Sequence, residues 1–187
     1  MKNVIDRQLE EHSRLALDLT GMRAQIEQIA RLYLKCLNEG GKLIFMGNGG
    51  SAADAMHMSA EYVAKFSRER RGLPAITLSE NISVITAIAN DYNYDYVFAR
   101  QLESLAGTND LVIGISTSGE SKNVAAAIEY CNQHNLRNLV FTGAAANTLS
   151  KIAQHAFIMP STVTARIQEA YLFVSHAVCA IVEEQFT

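Results

Sequence analysis

The stretch Leu43-Ile44-Phe45-Met46-Gly47-Asn48-Gly49-Gly50-Ser51 decides how this chain is read. Four successive large apolar residues without polar alternation read as a strand buried on both faces, as in a parallel sheet. The glycine turn that follows opens a helix, so backbone N–H groups and the positive helix end face one point, which suits an anion. On that helix His57 and Glu61 stand four apart. They lie on neighbouring turns of one face, close to where the anion would sit. An anion grip beside groups able to move protons points to chemistry on a sugar phosphate.

Outward from this stretch the same texture repeats. Short apolar runs predict strands at Lys42–Met46, Ala75–Leu78, Asp110–Ile115, Asn138–Phe141 and Ala156–Ile158. Helical spacing predicts helices at Ala52–Phe66, Ile82–Ile88, Tyr94–Leu105, Glu120–His134, Thr148–Ile152 and about Ala165–Glu184. Strands alternating with helices imply an α/β fold with a parallel sheet covered on both faces. Residues 1–39 lack proline and carry Leu9, Leu15, Ile26, Ile29, Leu32, Tyr33 and Leu37 at helical spacing, with Gly21 dividing two helices. The expected organisation is one domain over residues 1–187 with an N-terminal helical extension.

The last helix is apolar around much of its circumference. Ile167, Tyr171, Val174, Val178 and Ile181 form one stripe, and Leu172, Phe173, Ala177 and Ala180 widen it. Such a helix is buried on more than one side. With the N-terminal helices, it predicts packing between subunits, against the alternative of a fully packed monomer.

Sixteen basic and nineteen acidic residues give a net charge of −3, which leaves no broad electrostatic footprint for nucleic acid or membrane. No run approaches the ~20 apolar residues of a membrane span, and a cytoplasmic protein is expected. Cys36, Cys131 and Cys179 are odd in number and sit in helical apolar patterns, which predicts reduced core thiols rather than a disulfide framework.

A second anion signal is Gly114-Ile115-Ser116-Thr117-Ser118-Gly119-Glu120-Ser121, between a predicted strand and a predicted helix. Its hydroxyls and backbone donors can wrap phosphate oxygens. Serine and threonine also simply cap helices, so the loop alone has two readings. Two such loops at strand ends favour a ligand, because parallel sheets bind at that edge. This second loop carries neither the P-loop nor the dinucleotide fingerprint, which disfavours a nucleotide.

His57 and Glu61, at i and i+4, can share one metal ion or one substrate proton. On the last helix Gln168 and His176 interrupt an apolar surface. Eight helical residues rise about 12 Å, so these two meet at one point only by leaning inward, by leaving the regular helix, or by coming from different subunits.

Gly47-Asn48-Gly49-Gly50-Ser51, Asp54-Ala55-Met56-His57 with Glu61, Ala89-Asn90-Asp91, Gly114-Ile115-Ser116-Thr117-Ser118-Gly119 and Ala165-Arg166-Ile167-Gln168-Glu169 with His176 together resemble the phosphoheptose isomerases of the sugar isomerase (SIS) domain superfamily. The resemblance spans essentially the whole chain. It implies a three-layer αβα sandwich with a five-stranded parallel sheet, and a homotetramer with active sites at subunit interfaces. It further implies conversion of sedoheptulose 7-phosphate to D-glycero-D-manno-heptose 7-phosphate through an enediol, the first step toward the heptose of bacterial lipopolysaccharide or capsule.

By matching position, the resemblance makes His57, Glu61, Gln168 and His176 the ligands of one zinc ion per active site. Ser116, Thr117, Ser118 and Ser121 would hold the phosphate, and Asn48, Gly49, Gly50, Ser51, Asn90 and Asp91 would line the sugar site, with Glu61 and Gln168 also meeting substrate. Glu61 is expected to take the carbon proton and His176 to exchange protons with the oxygens. Two positions depart from the pattern: Lys65 stands where relatives often carry arginine, and Ala165 where some carry aspartate. Lysine keeps the charge but loses the bidentate fork. The rival reading is a non-catalytic SIS-domain binder of the type that associates with the DnaA initiator. That type shares both loops but lacks counterparts of Glu61 and His176, which this chain retains.

Overall fold

The computed structural model describes residues 1–144 and 147–187. Two amphipathic helices, α1 (Lys2–Thr20) and α2 (Arg23–Asn38), come first, separated at Gly21 and Met22. Then follow β1 (Leu43–Gly47), α3 (Gly50–Val63), β2 (Ala75–Thr77), α4 (Ile82–Asp91), a 3₁₀ turn at Tyr94–Tyr96 and α5 (Ala99–Leu105). The second half runs β3 (Leu111–Ser116), α6 (Lys122–Gln133), β4 (Arg137–Thr142), α7 (Thr148–Ile152), β5 (His155–Ile158) and α8 (Thr164–Glu183).

The five strands form one parallel sheet in the order β2-β1-β3-β4-β5. Residue alternation sorts side chains between its two faces. Leu43 and Phe45 join Leu111, Ile113, Leu139 and Phe141 beneath α1, α2, α3 and α8. Ile44 and Met46 join Val112 and Val140 beneath α4, α5, α6 and α7. Leu43 through Met46 are each no more than 1% exposed, which explains why this strand shows no polar alternation. Each such side chain contributes roughly 1.5–3 kcal/mol through burial. The result is the three-layer αβα sandwich expected from the sequence.

Helix α4 runs to Asp91, three residues beyond the expected end, and two other differences from the expected helix boundaries have a visible cause. Residues 94–105 do not form one helix: the chain makes a 3₁₀ turn and restarts at Ala99. At the break the buried Gln101 amide donates to the carbonyls of Val97 (2.7 Å) and Leu78 (3.0 Å), replacing the backbone partners a continuous helix would offer. Helix α3 ends at Val63 rather than Phe66. The Arg70 guanidinium takes the carbonyls of Glu61 (2.7 Å) and Tyr62 (2.9 Å), and the Glu183 carboxylate accepts from the N–H groups of Phe66 (3.1 Å), Ser67 (2.9 Å) and Arg68 (2.9 Å). These two side chains satisfy the helix end and the chain beyond it, so another helical turn has no orphan groups to absorb.

Cys36, Cys131 and Cys179 are free and buried. Among the described residues no helix is long and apolar enough to cross a membrane.

Candidate active site

The order of the strands creates the site. From β1 the chain moves outward to β2, then returns to place β3 on the other side of β1. Helix α3 covers one face and α6 the other, so the loops leaving β1 and β3 part and open a crevice at the carboxyl edge of the sheet.

The loop after β1 is held from below by Ser79. Its hydroxyl donates to the Gly47 carbonyl (2.9 Å) and accepts from the Gly47 N–H (3.2 Å). Gly49 precedes α3 with φ +55°, a conformation glycine adopts without steric cost. Ser51 is buried in the first turn of α3, and Gly49 and Gly50 are exposed above it.

In the loop after β3 the Ser116 and Ser118 hydroxyls accept from the N–H groups of Gly119 (3.2 Å) and Glu120 (3.2 Å). Ser121 precedes α6 but makes no side-chain capping bond. Its hydroxyl meets that of Ser116 at 2.8 Å, and Ser116 lies 3.5 Å from the Ser118 hydroxyl. The serines therefore face one another around the loop, beside the positive end of α6. Thr117 is half-buried between them. The one acid in the loop, Glu120, is turned away: its carboxylate accepts from the N–H (2.8 Å) and hydroxyl (2.6 Å) of Thr148, which hold it below the usual glutamate range. Gly119 sits at φ +69°, and a Cβ there would lie 2.1 Å from the Asn147 side chain. Gly119→Ala is expected to cost about 2 kcal/mol through left-handed strain and overpacking. Urea unfolding checks this as a lower midpoint at unchanged slope.

Beyond α3's first turn lies a second group of polar side chains. His57 Nε2 and His176 Nε2 are 2.9 Å apart, and Glu61 Oε1 is 3.7 Å from His57 Nε2. Helices α3 and α8 thus bring together residues separated by more than a hundred positions. The Phe66 ring stacks on His176, with centroids 5.3 Å apart. Burial, then the neighbouring His57, lower the His176 pKa, with Glu61 opposing.

Gln168 is placed differently. It stands two turns earlier on α8, its amide against Gly50, where a Cβ would come within 2.1 Å of Nε2. It lines a small cavity with Ser51, Asp54, Thr117 and Tyr171. The chain therefore gathers three of the four expected ligands, with the fourth at the neck between this cluster and the phosphate-type loop. Asn90 and Asp91 end α4, exposed and bonded to each other at 2.9 Å. Lys65 is exposed beside Glu69, and Ala165 is exposed in the first turn of α8.

Among the described residues no three or more His, Cys, Asp or Glu side chains are already arranged as a complete metal site. The donor chemistry nevertheless fits zinc. Two nitrogens each ~2.0–2.1 Å from one tetrahedral ion would lie about 3.3–3.4 Å apart, and zinc accepts imidazole and carboxylate together. The two ring nitrogens, hydrogen-bonded at 2.9 Å, would have to part by a few tenths of an ångström to share such an ion.

Three groups of the site carry no role in the sequence reading, although Asp54 stands there within a quoted motif. Asp54, one turn before His57 on the same helix face, has a buried Oδ2 without a partner, and burial raises its pKa to about 6, with His57 pulling the other way. Its i−3 spacing from His57 is the signal that places it on the same helix face. Asn123 and Tyr94 reach Asn48 from α6 and the 3₁₀ turn. No local pattern marks them, because the contacts span 75 and 46 positions.

Fold and loops define a domain built to hold a phosphorylated ligand at the edge of a parallel sheet, and the model of the SIS domain family matches residues 11–143. Among sequence relatives, a phosphoheptose isomerase of Campylobacter jejuni is 39% identical over 186 residues, covering all of both chains. One from Thermodesulfovibrio yellowstonii is 48% identical over 159 residues, covering 85% of this chain and 79% of the relative. The solved phosphoheptose isomerase of Neisseria gonorrhoeae superposes with a TM-score of 0.91 at 32% identity, over 98% of each chain. The chain belongs to the SIS domain family and, within it, to the phosphoheptose isomerases.

Proposed function

We propose that the protein converts sedoheptulose 7-phosphate to D-glycero-D-manno-heptose 7-phosphate, an aldose–ketose isomerisation through an enediol that opens a route to heptose conjugates of the lipopolysaccharide or capsule type. The observation that carries this is the meeting of His57, Glu61 and His176 beside a crevice with two phosphate-type loops. Full-length similarity to phosphoheptose isomerases supports the same reading. The non-catalytic binder is disfavoured, because Glu61 and His176 are both retained and placed together.

In this reading the Ser116–Ser121 loop and the start of α6 hold the phosphate, with Ser116, Thr117, Ser118 and Ser121 donating. Asn48, Gly49, Gly50, Ser51, Asn90 and Asp91 line the path of the sugar. Remote phosphate binding at C7 positions the reacting C1–C2 end of the sugar. Glu61 takes the proton from C2 or C1, and His176, whose pKa burial lowers, exchanges protons with the oxygens. His57, Glu61, Gln168 and His176 would hold a zinc ion. Bound there, it would act as a Lewis acid polarising the carbonyl oxygen.

Assembly into a homotetramer with sites at subunit interfaces completes the proposal, as does a cytoplasmic location. Its support is apolar surface on the helices expected to pack: Leu17 is 71% and Phe173 57% exposed, beside a groove lined by Leu19, Ile26, Ala177 and Ile181. The deciding experiment incubates purified protein with sedoheptulose 7-phosphate before and after chelation and zinc restoration. Aldose formation lost on chelation and regained with zinc is expected. No aldose under any condition overturns the isomerase reading, and full activity in metal-free protein overturns the zinc assignment alone.

A further inference from the structure

Asn48 is half-buried at the mouth of the crevice, and its amide is wired to two residues outside the set expected from the sequence. Asn48 Nδ2 donates to Asn123 Oδ1 at 2.8 Å, and Asn123 Nδ2 donates back to Asn48 Oδ1 at 2.9 Å. The Tyr94 hydroxyl donates to the same Asn48 oxygen at 3.0 Å. A reciprocal amide pair alone can be turned over at both ends without loss, so it does not define an orientation. Here the Val124 backbone N–H donates to Asn123 Oδ1 at 2.9 Å, and a backbone N–H cannot become an acceptor. Asn123, 3% exposed in the first turn of α6, is thereby fixed with its oxygen toward Val124 and Asn48. The Asn48 atom facing it must be the nitrogen.

The valences of Asn48 then close. Its carbonyl oxygen has two lone pairs, one engaged by Asn123 and one by Tyr94, and one of its two N–H groups is engaged by Asn123. A single N–H remains. We infer that Asn123 and Tyr94 are positioning residues that hold Asn48 as a donor-only group, so that it engages an acceptor oxygen of the sugar phosphate, a carbonyl or hydroxyl lone pair, and offers nothing to a hydroxyl proton. This inference rests on the reading of Asn48 as part of the sugar site. It extends that site across the sheet edge: the helix carrying the phosphate-type loop at one end also orients the sugar contact on the neighbouring loop, through Asn123.

Tyr94 is the informative position, because it is 52% exposed and its hydroxyl can be removed without disturbing the core. Kinetics on sedoheptulose 7-phosphate would be measured for Tyr94→Phe, Asn48→Ala and the double variant, with thermal midpoints alongside. Loss of the hydroxyl frees a lone pair on Asn48 and lets the amide rotate. The expected result is a fall in kcat/KM of about fivefold to tenfold for Tyr94→Phe at an unchanged midpoint, absent when Asn48 is already alanine. A merely structural tyrosine would act equally in both backgrounds. If Asn48→Ala lowers kcat/KM while Tyr94→Phe has no effect, or the same effect with and without Asn48, the positioning role is wrong and the site reading survives. If Asn48→Ala itself leaves kcat/KM unchanged, the site reading of Asn48 fails instead. Asn123→Asp supplies a second arm: its added oxygen opposes Asn48 Oδ1, so a folded variant is expected to lose kcat/KM at least as severely as Tyr94→Phe. Retention of wild-type kcat/KM in a folded Asn123→Asp protein would also overturn the proposal.

Discussion

Glu61→Gln is expected to lower turnover of sedoheptulose 7-phosphate by about 10²–10⁴-fold, the usual worth of a positioned general base. The substitution keeps the shape of the side chain and its place on α3, four residues from His57, but an amide cannot take a proton from carbon. The fall should appear in kcat rather than in KM, because phosphate binding at the Ser116–Ser121 loop is untouched. Metal content has to be measured on the same samples, since Glu61 is also a proposed zinc ligand. Near-normal turnover at full metal occupancy would remove Glu61 from the base role. A large loss restored by excess zinc would assign it to metal binding alone.

Glu183→Gln should produce the largest loss of stability. Glu183 and Arg70 form an ion pair at 3.2 Å with both side chains 1% exposed, and the carboxylate also accepts three backbone N–H groups and the Ser67 hydroxyl. Breaking a buried pair from one side leaves the guanidinium uncompensated, at a cost of about 3–5 kcal/mol. Chemical denaturation at fixed protein concentration measures it. The pH dependence has a definite sign. Burial works against ionisation of Glu183, but the hydrogen bonds from Ser67, Arg68 and Phe66 prevail and lower its pKa from 4.5. Its stabilisation is complete above the unfolded value and is lost as pH falls through the lower folded value. The gap between wild type and Glu183→Gln should therefore narrow on acidification below about pH 4.5. A constant gap would show that charge plays no part. Because Arg70 also binds the Glu61 and Tyr62 carbonyls, the same pair secures the end of α3 that carries Glu61.

Much of the fold is legible locally, and particular residues show why. Leu43 through Met46 are consecutive and apolar because both sheet faces are covered, so a single window of sequence reports a three-layer packing. The His57–Glu61 pair is legible because helical spacing places i and i+4 on one face. The break before Ala99 is not, since the Gln101 amide that satisfies Val97 also reaches Leu78 on another segment. The early end of α3 is hidden for a similar reason: Glu183 arrives from the far end of the chain.

The amino-acid sequence by itself determined the alternating strands and helices, the two anion-type loops, and the residue types able to carry proton and metal chemistry. These follow from side-chain periodicity and backbone conformational preference, both of which act over a few residues. The tertiary structure alone decided that His176 meets His57, that Gln168 lies against Gly50, and that Asn123 and Tyr94 orient Asn48. Those relations depend on strand order and helix packing, where contacts between distant segments set positions to within an ångström.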